Sequence, residues 1–138
     1  MDDDPAPATA LVLDDEPSLR DIMCRTLRGR GLTVIGVSDQ AEAIEVLRDP
    51  EIRVDILVTD LGLPTGFGVE VARQAGDARP GLPVLFVSGL AKADAVQRGL
   101  LEPEARLLQK PFRREALTEA VRAALAREPT SDLPYAGG

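Results

Sequence analysis

Five short aliphatic runs, separated by segments of helical period, dominate this sequence: Ala10 to Leu13, Thr33 to Val37, Ile56 to Thr59, Pro83 to Val87 and Ala105 to Leu108. A strand exposed on one face alternates apolar and polar residues, whereas a strand covered on both faces reads as an unbroken aliphatic run. The pattern therefore requires a sheet buried on both sides. Strands joined through helices are parallel, because a parallel pair needs a crossover connection.

The intervening segments carry helix signals. Pro17 suits a first helical turn, ahead of Leu19, Ile22, Met23 and Leu27 as the inward stripe, with Gly29 or Gly31 as the stop. Ser38 and Asp39 read as caps before Ala43, Ile44 and Leu47, and Pro50 closes that helix. A loop with Pro64 and glycines at 62, 66 and 68 leads to a helix through Val69 and Ala72. A short helix is expected near Ala91 to Arg98. The last helix sets Leu117, Ala120, Val121, Ala124 and Leu125 on one stripe, leaving Arg113, Arg114, Glu119 and Arg122 toward solvent. The expected fold is α/β: a doubly wound five-stranded parallel sheet of flavodoxin-like order 2-1-3-4-5, with helices on both faces. It occupies residues 10–128, between an acidic tail over 1–9 and a second tail over 129–138, both lacking apolar periodicity.

Composition removes several function classes. A chain of 138 residues holds one domain, and 3% aromatics leave an aliphatic core. The net charge of −7 repels nucleic acid and anionic lipid, so neither is expected as a direct partner. The apolar stretches are only strand-sized and the N-terminus is acidic, so the reading is a cytoplasmic protein with no membrane span. With no histidine and one cysteine, Cys24, there is no histidine-based triad, no zinc cluster of the Cys/His kind and no internal disulfide. Acid, base and metal chemistry falls to carboxylates and lysine.

Asp14, Asp15, Asp60, Ser88 and Lys110 all stand at the C-terminal end of an expected strand. In the order 2-1-3-4-5, strands 1 and 3 flank the point where the winding reverses and a crevice opens. Three carboxylates in one crevice repel each other, and a hard divalent cation, Mg²⁺ by default, relieves that repulsion. Each residue also has a plainer reading. Asp14-Asp15-Glu16 suits an acidic helix N-terminus, Asp60 a turn, Ser88 a helix cap, and Lys110 a solvated surface. Their joint occurrence at successive strand ends is what favours a shared site.

These residues resemble the receiver domain of bacterial response regulators. The matching elements are Val12-Leu13-Asp14-Asp15-Glu16, Asp60-Leu61-Gly62-Leu63-Pro64 with Gly68 following, Ser88, and Lys110-Pro111-Phe112, within a similarity running from about Ala10 to Arg127. The resemblance implies that Asp60 accepts a phosphoryl group and that Asp15 and Asp60 bind Mg²⁺ directly. It implies further that Gly62 adds its backbone carbonyl, that Asp14 acts through bound water, and that Ser88 and Lys110 contact the phosphoryl oxygens. It also implies a cis Lys110–Pro111 peptide. The implied donor is a histidine kinase or histidine phosphotransfer protein, and the implied target is a protein docking on the face of helix 4, strand 5 and helix 5. The chain would act as a stand-alone switch or phosphorelay intermediate.

Two features refine this reading. The family commonly carries an aromatic residue three positions before the lysine, where this chain has Leu107, and a leucine cannot report phosphorylation through a moving ring. Ser88-Gly89-Leu90-Ala91 is similar to receivers of hybrid histidine kinases, which points toward relay duty. The competing class is an Mg²⁺-dependent aspartyl-phosphate hydrolase of the haloacid dehalogenase type. That chemistry needs an acid/base carboxylate two positions after the nucleophile, where this chain has Gly62. A binding module without phosphorylation is disfavoured because every reacting group is present.

Overall fold

In a computed structural model, which describes residues 7–62 and 66–130, the elements alternate strictly. They are β1 (Thr9–Leu13), α1 (Pro17–Gly29), β2 (Thr33–Val37), α2 (Gln40–Arg48), β3 (Ile56–Asp60), α3 (Phe67–Ala78), β4 (Val84–Ser88), α4 (Lys92–Gln97), β5 (Arg106–Gln109) and α5 (Arg114–Leu125). Leu63 and Pro64 of the loop after Asp60, and the tail segments 1–6 and 131–138, lie outside the described residues. The five strands form one sheet of order β2-β1-β3-β4-β5 with every pairing parallel, the expected topology.

Strand pleating divides the core between two layers. Ala10 and Val12 of β1 face Met23, Cys24 and Leu27 of α1 and Leu117, Val121 and Ala124 of α5. Leu11 and Leu13 face the other way, onto Ala43 and Leu47 of α2 and Val71 and Ala75 of α3. A smaller cluster of Leu61, Phe86, Ala95 and Leu101 fixes α4. Arg79 closes the α2–α3 side, donating to the carbonyls of Leu47 (3.0 Å), Asp49 (2.8 Å) and Ile52 (2.7 Å), acceptors that the end of α2 leaves unpaired.

Two sequence expectations need correcting. Thr9, assigned to the N-terminal tail, is the first residue of β1: its amide donates to Asp55 Oδ2 at 2.7 Å and its carbonyl accepts from Asp55 N–H at 2.8 Å. A polar partner 46 positions away extended the strand beyond its aliphatic run. Ile22, placed in the inward stripe of α1, is 45% exposed. Met23 and Leu27, one turn apart, set the buried stripe with Cys24, and Ile22 lies about 100° round the helix from Met23.

Candidate phosphoacceptor site

The turn between β1 and α1 gives its three acidic residues different roles. Asp14 is fully buried, Asp15 is exposed, and Glu16 is the N-cap of α1, its side chain accepting from Leu19 N–H at 2.6 Å. The helix-terminus reading thus holds for Glu16 and not for Asp14. Asp14 Oδ1 accepts from Glu16 N–H at 2.9 Å, while its Oδ2 is buried with no hydrogen-bond partner. Arg20, one turn into α1, donates to the Asp14 carbonyl at 2.7 Å and so fixes the main chain at this position. Sequence reading missed Arg20, and its spacing four residues after the cap is shared by too many surface arginines to have singled it out.

Asp60 ends β3 beside β1. One ligand oxygen from each of Asp14, Asp15 and Asp60 can be chosen so that all lie within 4.8 Å of one another. Burial pushes the Asp14 carboxyl above its ordinary range, with the charges of Asp60 and Asp15 adding to the shift and Glu16 N–H and Lys110 opposing it.

The loop after Asp60 is built around close backbone approaches. Gly62 N–H lies 3.3 Å from Asp60 Oδ1, and Gly62 adopts φ 80° with the Phe67 ring over it, so a Cβ there would stand 2.3 Å from a ring carbon. Its carbonyl accepts from Gly66 N–H at 2.5 Å and retains a second lone pair. At the start of α3, a Cβ on Gly68 would meet the Asp60 carbonyl oxygen at 2.1 Å. Gly68 therefore lets α3 press against the end of β3.

The other half of the site comes from β4 and β5. Ser88 is buried at the end of β4, and its Oγ accepts from Leu90 N–H at 3.0 Å. It does not cap a helix, since α4 starts at Lys92 behind Ala91. Lys110 N–H donates to the Ser88 carbonyl at 2.8 Å, and the Gln109 amide donates to the Gly89 carbonyl at 3.2 Å, tying the two strand ends together. Lys110 Nζ reaches 3.7 Å from Asp60 Oδ1 and 3.9 Å from Asp14 Oδ2. The Lys110–Pro111 peptide is cis. Leu107 is half-buried against the cluster of Leu61, Phe86, Ala95 and Leu101.

The family model of the response regulator receiver domain matches residues 10–122. The chain belongs to that family. This receiver domain is 33% identical to the DNA-binding response regulator MtrA of Mycolicibacterium smegmatis, over 85% of the chain and 50% of that protein. It is also 33% identical to the sensor kinase CckA of Brucella abortus, over 88% of the chain and 13% of that protein. It thus spans half the length of the first relative and a small part of the second. A response regulator receiver protein of Sinorhizobium medicae superimposes with a TM-score of 0.74 at 34% identity, covering 87% of this chain and 95% of that one. Receiver domains are phosphoacceptor modules of two-component signalling, serving histidine kinases and downstream targets. No helix among the described residues is long and apolar enough to cross a membrane.

Proposed function

We propose that this receiver domain accepts a phosphoryl group on Asp60 from a histidine kinase or histidine phosphotransfer protein, with Mg²⁺ in the acidic crevice, and acts through protein contacts as a switch or phosphorelay intermediate. The observation that carries this reading is the buried, unpartnered Asp14 Oδ2 beside Asp15 and Asp60. A buried carboxylate oxygen without a donor is costly, and an oxygen-binding divalent cation supplies what it lacks. Asp15 and Asp60 would hold the ion directly, Gly62 through its carbonyl and Asp14 through bound water. When bound, Mg²⁺ screens the carboxylates and neutralises phosphoryl oxygens.

The residues of the chain do the rest. An Asp60 oxygen forms a bond to phosphorus as the phosphorus–nitrogen bond of the donor phosphohistidine breaks, the electron pair leaving on the imidazole. Lys110 Nζ, 3.7 Å from Asp60 Oδ1, stands where added negative charge would develop. Ser88 Oγ accepts from Leu90 and keeps its own proton to donate to a phosphoryl oxygen. The hydrolase reading finds no support at Gly62, which carries no proton-transfer group.

The test is intact mass after treatment with acetyl phosphate and Mg²⁺. One base-labile phosphoryl group of about 80 Da should appear, and Asp60→Asn should abolish it. An unchanged mass, or labelling that survives Asp60→Asn, defeats the assignment.

A further inference from the structure

The chain does not run off the end of α5 into solvent. Arg127 takes a left-handed backbone conformation, φ 57°, and its guanidinium donates to the Gly81 carbonyl at 2.9 Å, which holds a conformation that non-glycine residues adopt only when supported. The turn presents Glu128 to two arginines. Its carboxylate pairs with Arg122 at 3.0 Å through both oxygens, and its carbonyl accepts from Arg106 on β5. Pro129 and Thr130 are thereby placed on the wall of a groove of about 310 Å³ between β5 and α5. Leu107, Ala120 and Ala123 line it with apolar surface, and Lys92 and Arg106 line it with positive charge.

We infer that this groove is a docking site for the chain's own segment 131–138, which enters it from Thr130 and seats Leu133 and Tyr135 on the apolar lining. Thr130 already lines the groove, and from there Leu133 is within about 10 Å and Tyr135 within about 17 Å of extended chain. Asp132 matches the charge of Lys92 and Arg106. Tyrosine suits such a place, since its ring covers apolar surface while its hydroxyl meets water at the rim. The residue at the groove floor is Leu107, so the ring that the β5 position lacks would be supplied from the segment. The docked segment would cover the face assigned above to the downstream target and compete with it. That consequence rests on the proposed function; the docking itself does not.

The experiment uses the unphosphorylated chain without Mg²⁺, so its failure is separate from any failure of Asp60 labelling. The sequence has one tyrosine and no tryptophan, so tyrosine emission reports on Tyr135 alone. Acrylamide quenching of the full chain should be about threefold weaker than that of N-acetyltyrosinamide, as for a ring with most of its surface covered. Glu128→Lys, which reverses the exposed ion pairs, and Ala123→Glu, which places charge in the groove, should each restore quenching toward that of the free amide while circular dichroism stays unchanged. Quenching equal to the free amide in the wild type overturns the inference, as does protection that both variants leave intact. Protection that grows with protein concentration alongside a dimer in sedimentation gives the groove to a second copy and overturns it too.

Discussion

Lys110 Nζ stands 3.7 Å from Asp60 Oδ1, beyond hydrogen-bonding distance, and a further 3.9 Å contact links the same ammonium to Asp14 Oδ2. One cation is shared between two carboxylates and bound tightly by neither. That geometry leaves Lys110 able to follow charge that is added to Asp60.

Replacing Lys110 with alanine should therefore slow phosphorylation by acetyl phosphate by about 10²-fold, the loss typical of removing one charge-stabilising donor. Mg²⁺ affinity should be retained, since no ligand is removed. Rates from intact mass and Mg²⁺ titration by calorimetry separate the two effects, and loss of metal binding would contradict the assigned role.

Asp14→Asn should stabilise the metal-free protein at neutral pH. The folded Asp14 carboxyl titrates above its ordinary range, chiefly through burial, so the folded state holds that proton longer than the unfolded chain. Ionisation then costs stability, a cost absent below the ordinary carboxylate range and fully present above the raised value. The amide should lift the metal-free melting temperature by roughly 2–6 °C at neutral pH, with a smaller gain near pH 4, and should abolish most stabilisation by MgCl₂. Thermal melts with and without MgCl₂ at the two pH values check the sign, and a lower melting temperature at neutral pH would count against it.

Two glycines of α3 should respond oppositely to the same change. A methyl group at Gly68 would collide with the Asp60 carbonyl, so Gly68→Ala should cost about 1–3 kcal/mol and impair phosphorylation by displacing the end of β3. A Cβ at Gly76 meets nothing within 4 Å, so Gly76→Ala should gain about 0.5–1 kcal/mol with phosphorylation unchanged. Urea unfolding and the mass assay measure both.

Cys24 should be inert in the native protein. Burial in the α1 core raises its thiol pKa, with Arg28 and Arg20 opposing, so the folded thiol stays protonated where an unfolded one would ionise. Alkylation by iodoacetamide should be at least about 10²-fold slower than in urea. Because the unfolded chain binds fewer protons between the ordinary and the raised thiol pKa, stability should fall as pH rises through that interval. Urea midpoints should decline less steeply in Cys24→Ala over the same range, and equal slopes would refute the linkage.

The sequence determined the architecture because the controlling physics is local. Unbroken aliphatic runs such as Ile56 to Thr59 require burial on both faces, and the helical segments between them force parallel pairing and the order β2-β1-β3-β4-β5. The same logic put Asp14, Asp15, Asp60, Ser88 and Lys110 on one edge of the sheet. What it could not show was how neighbouring residues of like type differ. Asp14 and Glu16 are both acidic and two positions apart, yet one is buried with an unpartnered oxygen and the other caps a helix. Thr9 joins β1 because of Asp55, Arg20 reaches back to the Asp14 carbonyl, and Glu128 is held by Arg106 and Arg122. These contacts depend on side-chain directions and on partners distant in the chain, which neither periodicity nor composition encodes. Only the packed structure decides which atom of a polar residue is left without a partner.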